Sequence, residues 1–469
     1  MFREFIQSNA NKTQPETKVI ALKQESGSAE ALQLAAQRKA HEAAELDRIE
    51  LKARLHNRLL DTLNLSVLEK IEDDLLRREV GNLVTDGLRE EGRALRGDAL
   101  KELIDELMHE VLGLGPLEPL LADQTINDIL VNGHNQVYVE RSGVLERSTC
   151  RFRDERHLLR VIDKIVSRVG RRIDESQPWV DARLEDGSRF NAIIRPCAVD
   201  GPSVSIRKFS ATPLTMQRLI EREALNGSAA ALLRGLVDAR LNILISGGTG
   251  SGKTTMLNAL SSFISEKERI VTIEDAAELQ LQQEHVLRLE TRPAGPDGSG
   301  SVKQRDLVKN ALRMRPDRII VGEVRGSEAF DMLQAMNTGH DGSMTTVHAN
   351  TPRDALSRVE QMVQMGGMEL PHAAIRATIG SAVHFVVQLN RLADGTRRVV
   401  SISEITGMEG DIITMQDIFV FDRMGKDEDG NILGEFRATG IRPRAFDQLV
   451  AAGVDLGAIS FTRGSYDAG

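Results

Sequence analysis

Aromatic side chains, cysteine and long apolar runs are all scarce in this sequence of 469 residues. Phe, Trp and Tyr together make up only 3% of the chain, so few side chains offer a surface on which bases could stack. The formal net charge of −9 does not favour a nucleic-acid partner either, because phosphate backbones are bound through an excess of basic residues. We therefore expect no nucleic acid among the partners.

The only two cysteines, Cys150 and Cys197, lie far apart in the sequence and match no metal-binding spacing. We expect two reduced thiols in a cytoplasmic protein and no disulfide framework. No apolar run approaches the roughly 20 residues that a membrane-spanning helix needs. The first residues, MFREFIQSNANKTQ, lack the apolar core of a secretion signal. Any membrane contact is therefore expected to be indirect, through a partner.

The first half of the chain divides into four segments by its pattern of polar and apolar residues. Residues 1–45 are polar with little periodicity, which predicts a flexible tail. Residues 46–113 carry apolar residues at helical spacing and predict a small helical bundle. Short strand-like runs around one helical stretch predict an α+β domain over 117–210. A linker that leads into a helix is expected at 211–230.

The second half alternates strand-like and helical stretches. NILISGG, RIVTIED, DRIIVGEV, MTTVHA and HFVVQL are compact apolar runs, as expected for strands buried on both faces of a sheet. This alternation predicts an α/β nucleotide-binding domain over 231–425. RRVVSISEI and QDIFVFD predict further strands at the end of this domain. A C-terminal extension is expected over 426–469, and we assign it no function.

The stretch SGGTGSGKTT, residues 246–255, fits the phosphate-binding loop G-x-x-x-x-G-K-[ST] between an apolar run and a helical stretch. Its glycines allow backbone N–H groups to turn around phosphate oxygens without a Cβ in the way. Lys253 is expected to reach the β- and γ-phosphates, and the Thr254 hydroxyl to hold Mg²⁺. The predicted ligands are therefore ATP and Mg²⁺. The predicted nucleotide-binding residues are Gly247, Gly248, Thr249, Gly250, Ser251, Gly252, Lys253, Thr254 and Thr255.

Hydrolysis needs further groups that order the metal and the attacking water, usually a carboxylate at the end of a neighbouring strand. RIVTIEDAAEL ends its apolar run in Glu274 and Asp275, and DRIIVGEVRG ends in Glu323. His340 and His348 in NTGHDGSMTTVHAN flank a glycine-bearing turn on the strand predicted after the Glu323 strand, a location that suits a sensor of the γ-phosphate. Which glutamate activates the water is left open.

Four stretches together resemble the secretion ATPases of type II and type IV systems. SGGTGSGKTT, VTIEDAAELQL, RMRPDRIIVGEVRG and TGHDGSMTTVHAN are similar to the Walker A, Asp box, Walker B and His box of that family. LGPLEPLLAD, DARLEDGSRFNAIIRP, AMNTGHDGSM and GMEGD resemble in particular the CpaF/TadA branch, which serves the tight-adherence (Flp) pilus. The resemblance covers about residues 60–425. It implies a homohexameric ring in which a RecA-like C-terminal domain and an N-terminal domain hold ATP between them.

The resemblance also implies roles for single residues. Glu323 corresponds to the Walker B glutamate, Glu274 to that of the Asp box, and His340 and His348 to the His-box histidines. The family places arginines of the N-terminal domain across a domain or subunit interface, where a guanidinium can match the charge that grows on the γ-phosphate. The candidate arginines here are Arg183, Arg195 and Arg207.

The resulting hypothesis is a cytoplasmic motor at the inner face of the cytoplasmic membrane that hydrolyses ATP to assemble a pilus through an inner-membrane platform protein. Whether it also retracts the pilus is left open. A motor of a type II or type IV secretion system is the nearest alternative, and a nucleic-acid translocase or a nucleotide-gated scaffold are alternatives from other classes. Some type II relatives carry a four-cysteine zinc element, which we exclude here because no cysteine follows Cys197.

Overall fold

The computed structural model describes residues 47–462 apart from short gaps. The residues left out of this range are 49, 57, 60, 61, 63–72, 96, 142, 210–213, 296, 297, 368, 456 and 458. The predicted tail over 1–45 lies outside the described residues. The chain divides into two compact units, Met1–Lys208 and Phe209–Gly469.

Helices open the first unit. The described residues between 47 and 62 are helical, and α1 (Asp73–Glu90) and α2 (Asp98–Val111) follow. Apolar residues at three- and four-residue spacing place one face of each helix in a shared core. That core contains Leu51, Leu55, Leu59, Leu76, Val80, Val84, Leu88, Leu103, Leu107, Met108 and Val111. The prolines of GLGPLEPLL occupy the first turns of a 3-10 helix, Gly115–Leu117, and of α3 (Glu118–Ala122), where no N–H is needed.

An antiparallel sheet completes the first unit. Its strands are β1 (Ile126–Asn132), β2 (Val137–Arg141), β3 (Val144–Arg147), β4 (Trp179–Arg183), β5 (Arg189–Ile193) and β6 (Ser203–Arg207). They are ordered β3-β2-β1-β6-β5-β4, with every neighbouring pair antiparallel. The helix α4 (Glu155–Arg168) packs its apolar residues into the same core as one face of the sheet. Asp154 caps this helix by accepting a hydrogen bond from the His157 N–H.

The second unit is built on a nine-stranded sheet. Its parallel strands are β7 (Ile243–Gly247), β8 (Ile270–Glu274), β9 (Val286–Glu290), β10 (Arg318–Val321), β11 (Met344–Val347) and β12 (Phe385–Arg391). The antiparallel strands are β13 (Arg397–Glu409), β14 (Ile412–Lys426) and β15 (Ile432–Ala438). The order across the sheet is β15-β14-β13-β12-β7-β11-β10-β8-β9. The strand with the phosphate loop is therefore central.

Helices cover both faces of this sheet. They are α5 (Met216–Glu221), α6 (Gly227–Asp238), α7 (Lys253–Ser261), α8 (Gln304–Ala311), α9 (Glu328–Asn337), α10 (Pro352–Met365), α11 (His372–Ala382) and α12 (Phe446–Ala451). Two large apolar clusters lie between helices and strands. Every residue of β7, β8, β10 and β11 is buried, as the continuous apolar runs predicted. The predicted fold class, an α/β C-terminal domain after an α+β domain and a helical bundle, is confirmed.

The helix expected after the linker is present, and the sheet continues past residue 425. The described part of the expected linker over 211–230 contains α5, whose Met216 and Leu219 pack into the core of the second unit. At the other end, β15 lies within the expected extension over 426–469 and pairs with β14. The sheet therefore continues beyond the predicted domain boundary.

The two cysteines form no disulfide with each other. Both cysteines are free. The Cys150 thiol donates to the Pro116 carbonyl at 3.1 Å, and burial raises the pKa of this thiol to about 12. Within the described ranges, no three His, Cys, Asp or Glu side chains are grouped to hold a metal ion. None of the helices described is both long and apolar enough to cross a bilayer.

Candidate nucleotide-binding site

The loop between β7 and α7 has a backbone that only glycine accommodates. Gly250 and Gly252 have φ angles of 69° and 98°, in the left-handed region where a Cβ is costly. A Cβ on Gly247 would lie 2.4 Å from the Ser251 Oγ and 2.6 Å from the Leu389 carbonyl oxygen. The turn therefore requires glycine at 250 and 252 and close packing requires it at 247, whereas a Cβ on Gly248 would meet no heavy atom within 4 Å.

Lys253 is the first residue of α7. Its Nζ donates to the carbonyl oxygens of Gly247 and Gly248, both at 3.0 Å, so that the cation lies over the loop. Thr254 and Thr255 follow in the first helical turn and are half-buried. The free N–H groups of a helix N-terminus and an adjacent ammonium group suit a phosphate chain.

Glu274 ends β8 and is 3% exposed. Its Oε2 accepts the N–H groups of Glu278 at 2.7 Å and Leu279 at 3.0 Å. Its Oε1 is buried and has no hydrogen-bond partner among the described residues. Burial raises the pKa of this carboxyl to about 7, against the effect of the two N–H donors. A carboxyl that titrates near neutral pH is well matched to general-base catalysis.

Glu323 follows β10 by two residues. Its Oε2 accepts a hydrogen bond from the Arg325 Nη2 at 2.6 Å, and Arg325 also lies 4.0 Å from an Asp275 oxygen. The intervening Gly322 packs directly on Glu274, because a Cβ there would lie 2.9 Å from the Glu274 Cγ. The two predicted glutamates therefore leave neighbouring strands in close proximity.

A cleft of about 300 Å³ opens beside Glu323. It is lined by Glu323, Val324, Arg325, Val347, His348, Arg358 and Met362. His348 directly follows β11, the strand between β10 and β7. Burial lowers the pKa of His348, and the positive charge of Lys253 lowers it further. The imidazole therefore faces the site in its neutral form, with one donor and one acceptor nitrogen.

The two histidines lie at opposite ends of β11, so the structure does not bring them together at one site, and a catalytic role of His340 stays a prediction. His340 precedes β11, and its carbonyl accepts the Ser343 hydroxyl at 2.7 Å. The Ser343 N–H in turn donates to Asn242, which precedes β7, whereas Lys253 follows β7. Residues on the two sides of a short parallel strand are separated by its length, roughly 15 Å here. The sequence pattern predicted the strand correctly, but it did not show which end of the strand lies beside the phosphate loop.

The predicted arginines fall into two groups within the first unit. Arg183 and Arg207 are each directly opposite Arg189 on β5, the strand between β4 and β6, so the three side chains form a row on one sheet face. The Arg207 Nε lies 3.4 Å from Asp128 Oδ1. Arg195 lies beyond the other end of β5, where it contacts Glu155 at 3.2 Å. Arg195 is therefore separated from the arginine row.

Two further arginines beside the phosphate loop were missed by the sequence analysis. Arg391 and Arg397 face each other across the β12–β13 hairpin. The Arg391 Nη1 and the Arg397 Cδ would each lie 3.8 Å from a Cβ on Gly250 and Gly252, respectively. The signal in the sequence was a pair of basic positions around the turn LADGT, directly after the strand-like run HFVVQL.

A phosphate loop at the centre of a parallel sheet, with two glutamates and a histidine at neighbouring strand ends, defines a P-loop nucleotide-binding protein. The Glu323 carboxylate, which lines the cleft, and the Thr254 hydroxyl at the start of α7 are oxygen ligands of the kind that Mg²⁺ binds, so the residues fit a magnesium nucleotide. More specifically, the chain belongs to the family described as Type II/IV secretion system protein, whose model matches residues 110–425.

Individual relatives carry related names. A putative conjugal transfer protein of Mycobacterium tuberculosis is 41% identical over 310 residues, covering 65% of this chain and 88% of that protein. The conjugal transfer protein TrbB of Rhizobium radiobacter is 34% identical over 298 residues, covering 61% and 86%. The crystal structure of the VirB11 ATPase of the Brucella suis type IV secretion system, in complex with sulphate, matches 62% of this chain and 92% of its own at 31% identity, with a TM-score of 0.34.

Proposed function

We propose that this protein is an ATPase motor that couples ATP hydrolysis to the assembly of a tight-adherence (Tad/Flp) pilus. The observation that carries the ATPase part is the convergence of Lys253, His348, Glu323 and Glu274 at the carboxyl ends of four adjacent strands. Neighbouring strands are about 4.8 Å apart, so these side chains border a space that can hold a triphosphate between the loop and the two carboxylates.

Each group has a distinct chemical task in this proposal. The loop N–H groups and Lys253 bind the β- and γ-phosphates, and Thr254 holds Mg²⁺, which neutralises charge on the phosphate oxygens when bound. Glu274, whose pKa is raised to about 7 by burial, accepts a proton from the attacking water. Glu323 would help to hold the magnesium ion, and His348 would contact the γ-phosphate. Arg391 and Arg397 add positive charge on the flank of the loop.

The arginine row supplies the second half of the proposal. Arg183 and Arg207 are each paired across the sheet with Arg189, so three guanidinium groups lie on one face of the sheet, with Asp128 directly opposite Arg207. Guanidinium groups also match phosphate oxygens bidentately. We propose that Arg183 and Arg207 reach the γ-phosphate in a homohexamer, and Arg195 is the weaker candidate because it lies elsewhere.

The pilus assignment rests on the motifs that resemble the CpaF/TadA branch, and the family membership supports a secretion or pilus motor in general. In this proposal the homohexamer works in the cytoplasm, at the inner face of the cytoplasmic membrane, on an inner-membrane platform protein. The second candidate is a motor of a type IV secretion system, which is favoured by the names of the conjugal transfer relatives.

Turnover measurements test the enzymatic part. Lys253→Ala and Glu323→Gln are each expected to lower the ATPase kcat/KM by about 100-fold or more. The first removes the cation that stabilises charge on the phosphates, and the second removes the carboxylate that positions the metal. Lys267→Ala, which removes an exposed lysine before β8, is the matched control and should retain turnover. Wild-type turnover in both site variants would refute the proposal.

Cell-based assays separate the two biological assignments. Chromosomal Lys253→Ala should abolish surface pili without affecting conjugal transfer or protein export if the Tad assignment is correct. The opposite result would favour the secretion-system motor. Stimulation of the ATPase by DNA, lost steeply with added salt, would instead indicate a nucleic-acid translocase.

A further inference from the structure

A buried glutamine links the strands on either side of the phosphate loop. Gln388 lies on β12 and is only 1% exposed. Its Nε2 is within hydrogen-bonding distance of the carbonyl oxygens of Ala349 and Asn350, at 3.3 and 3.2 Å. These two residues directly follow His348 in the chain. The side chain therefore connects β12 to the loop that begins at His348.

This connection passes the strand that leads into the phosphate loop. In the sheet, β7 lies between β12 and β11, so the two strands that Gln388 joins are not neighbours. Gln388 is the register partner of Ser246 on β7, and Ser246 directly precedes Gly247. Register partners on neighbouring strands share one face of a sheet. The Gln388 side chain therefore extends past β7 where the phosphate loop begins.

The same amide also lies beside the start of the β12–β13 hairpin. The amide nitrogen is 3.3 Å from Asn390 Oδ1 and 3.4 Å from the Leu389 carbonyl oxygen. The next residue, Arg391, has its Nη1 3.8 Å from the position of a Cβ on Gly250. Four acceptors therefore surround a group that has two N–H bonds. The amide shares its donors between the His348 loop and the hairpin, so a change in one segment alters the bonds available to the other.

The oxygen of this amide has no compensating hydrogen bond. Gln388 Oε1 and Ser246 Oγ are both buried and have no hydrogen-bond partner within the part of the chain that the structure describes. A buried polar atom without a partner costs free energy of folding. A methionine of similar shape at position 388 would remove this cost together with the two N–H donors. Such a variant can therefore lose the linkage between segments without a large loss of stability.

We propose that Gln388 is a positioning residue that holds His348 toward the γ-phosphate and links it to Arg391 on the other flank of the phosphate loop. This inference rests on the proposed ATPase function, in which His348 contacts the γ-phosphate. Gln388 itself does not touch the nucleotide. Because a hydrogen bond to a charged group is worth about a factor of ten in affinity or more, the placement of His348 is measurable by nucleotide binding.

The test variant is Gln388→Met, measured with Mg²⁺ and either a non-hydrolysable ATP analogue or ADP. Calorimetric titration should show affinity for the analogue about tenfold lower and affinity for ADP lower by less than about twofold, because only the analogue has a γ-phosphate. ATP turnover should fall by about tenfold or more, since small displacements of a group at the reacting phosphate are costly. The Tm should change by less than about 3 °C. Equal weakening of both nucleotides would indicate a general structural role and overturn the proposal.

Gln283→Met is the matched control. Gln283 is also buried, and its Nε2 donates to the carbonyl oxygens of Ser261 and Ile264 at 2.8 and 3.0 Å. Its Oε1 likewise has no partner among the described residues. Ser261 ends α7, roughly 12 Å along the helix from Lys253. This variant should keep turnover and the ratio of the two nucleotide affinities within about twofold of wild type. Losses equal to those of Gln388→Met would contradict a specific role of Gln388.

A double-mutant cycle tests the coupling to His348. Gln388→Met should lower turnover by about tenfold in the wild-type background but by less than about threefold in His348→Ala, because the group that it positions is then absent. Additive losses overturn the proposal. Lys253→Ala separates this inference from the function on which it rests. If Lys253→Ala loses turnover and Gln388→Met does not, only the positioning role fails, whereas wild-type turnover in Lys253→Ala refutes both.

Discussion

Replacement of Glu274 by glutamine tests the buried carboxyl at the centre of the site. Burial raises the pKa of Glu274 from 4.5 to about 7, and each pKa unit corresponds to 1.36 kcal/mol, so the shift amounts to about 3 kcal/mol. The side chain is only 3% exposed, so solvent screening reduces this value little. An acid whose pKa is raised by folding stabilises the protein fully below its unfolded pKa. That contribution is lost as the pH rises through the folded pKa.

Wild-type protein should therefore lose about 3 kcal/mol of unfolding free energy through this one group between pH 4.5 and pH 7. The amide introduced by Glu274→Gln is neutral at every pH in this range, so the variant lacks this loss. The variant should gain stability relative to wild type by about 3 kcal/mol over the same interval. Urea denaturation of both proteins by circular dichroism in matched buffers measures the difference. Amide exchange of β8 peptides assigns it to the second unit.

The pH dependence of the stability difference between Glu274→Gln and wild type tests whether burial keeps Glu274 protonated. A curve that is flat from pH 4.5 to pH 8 would refute the argument that Glu274 is held protonated by burial. Glu266→Gln, which changes an exposed carboxyl on the segment before β8, is the control and should give a flat curve. The ATPase rate supplies an independent readout, because a base that titrates near pH 7 makes the rate rise through that pH.

Two stability predictions concern close packing around the same sheet. Gly322→Ala should destabilise the protein by about 1–3 kcal/mol, since the new Cβ would lie 2.9 Å from the Glu274 Cγ. Arg318→Met should cost about 3 kcal/mol, because Arg318 is 2% exposed and its Nε donates to Glu268 at 2.7 Å. The residual contact of Glu268 with Arg240 at 2.9 Å keeps that value at the low end of the range for buried ion pairs. Both are measured by thermal or urea denaturation.

Matched control variants distinguish the loss of close packing or of a buried ion pair from the effect of the same substitution at an uncrowded or exposed position. Gly227→Ala places a Cβ where no heavy atom lies within 4 Å, so it should leave stability nearly unchanged. Arg218→Met removes an exposed pair with Glu221 and should change the free energy of unfolding by less than about 1 kcal/mol. Similar losses in a variant and its control would contradict the packing argument.

The sequence identified the parts of the site whose chemistry is local. The phosphate loop is a contiguous stretch, because its turn and its following helix form the binding surface together. Glu274 and Glu323 could be related to it because carboxyl ends of parallel strands meet at one edge. His348 follows the same rule. His340 could not be related to the loop in this way. It precedes β11, and residues before and after a strand lie at opposite ends of that strand.

Other features depended on pairing between distant segments. The row of Arg183, Arg189 and Arg207 exists only because three antiparallel strands meet in one register, and Arg195 is excluded from it by the same register. Arg391 and Arg397 reach the phosphate loop through a hairpin next to β7. The turn LADGT indicates that Arg391 and Arg397 face each other, but it does not show that their hairpin lies beside the phosphate loop.

The sequence by itself therefore determined that a phosphate-binding α/β unit follows an α+β unit, since periodicity and glycine placement act over a few residues. The tertiary structure decided which charged groups face one another. It buried Glu274 and so raised its pKa to about 7, and it placed Arg391 and Arg397 beside the phosphate loop. Burial and proximity are set by packing between distant segments, and they control the chemistry of these groups.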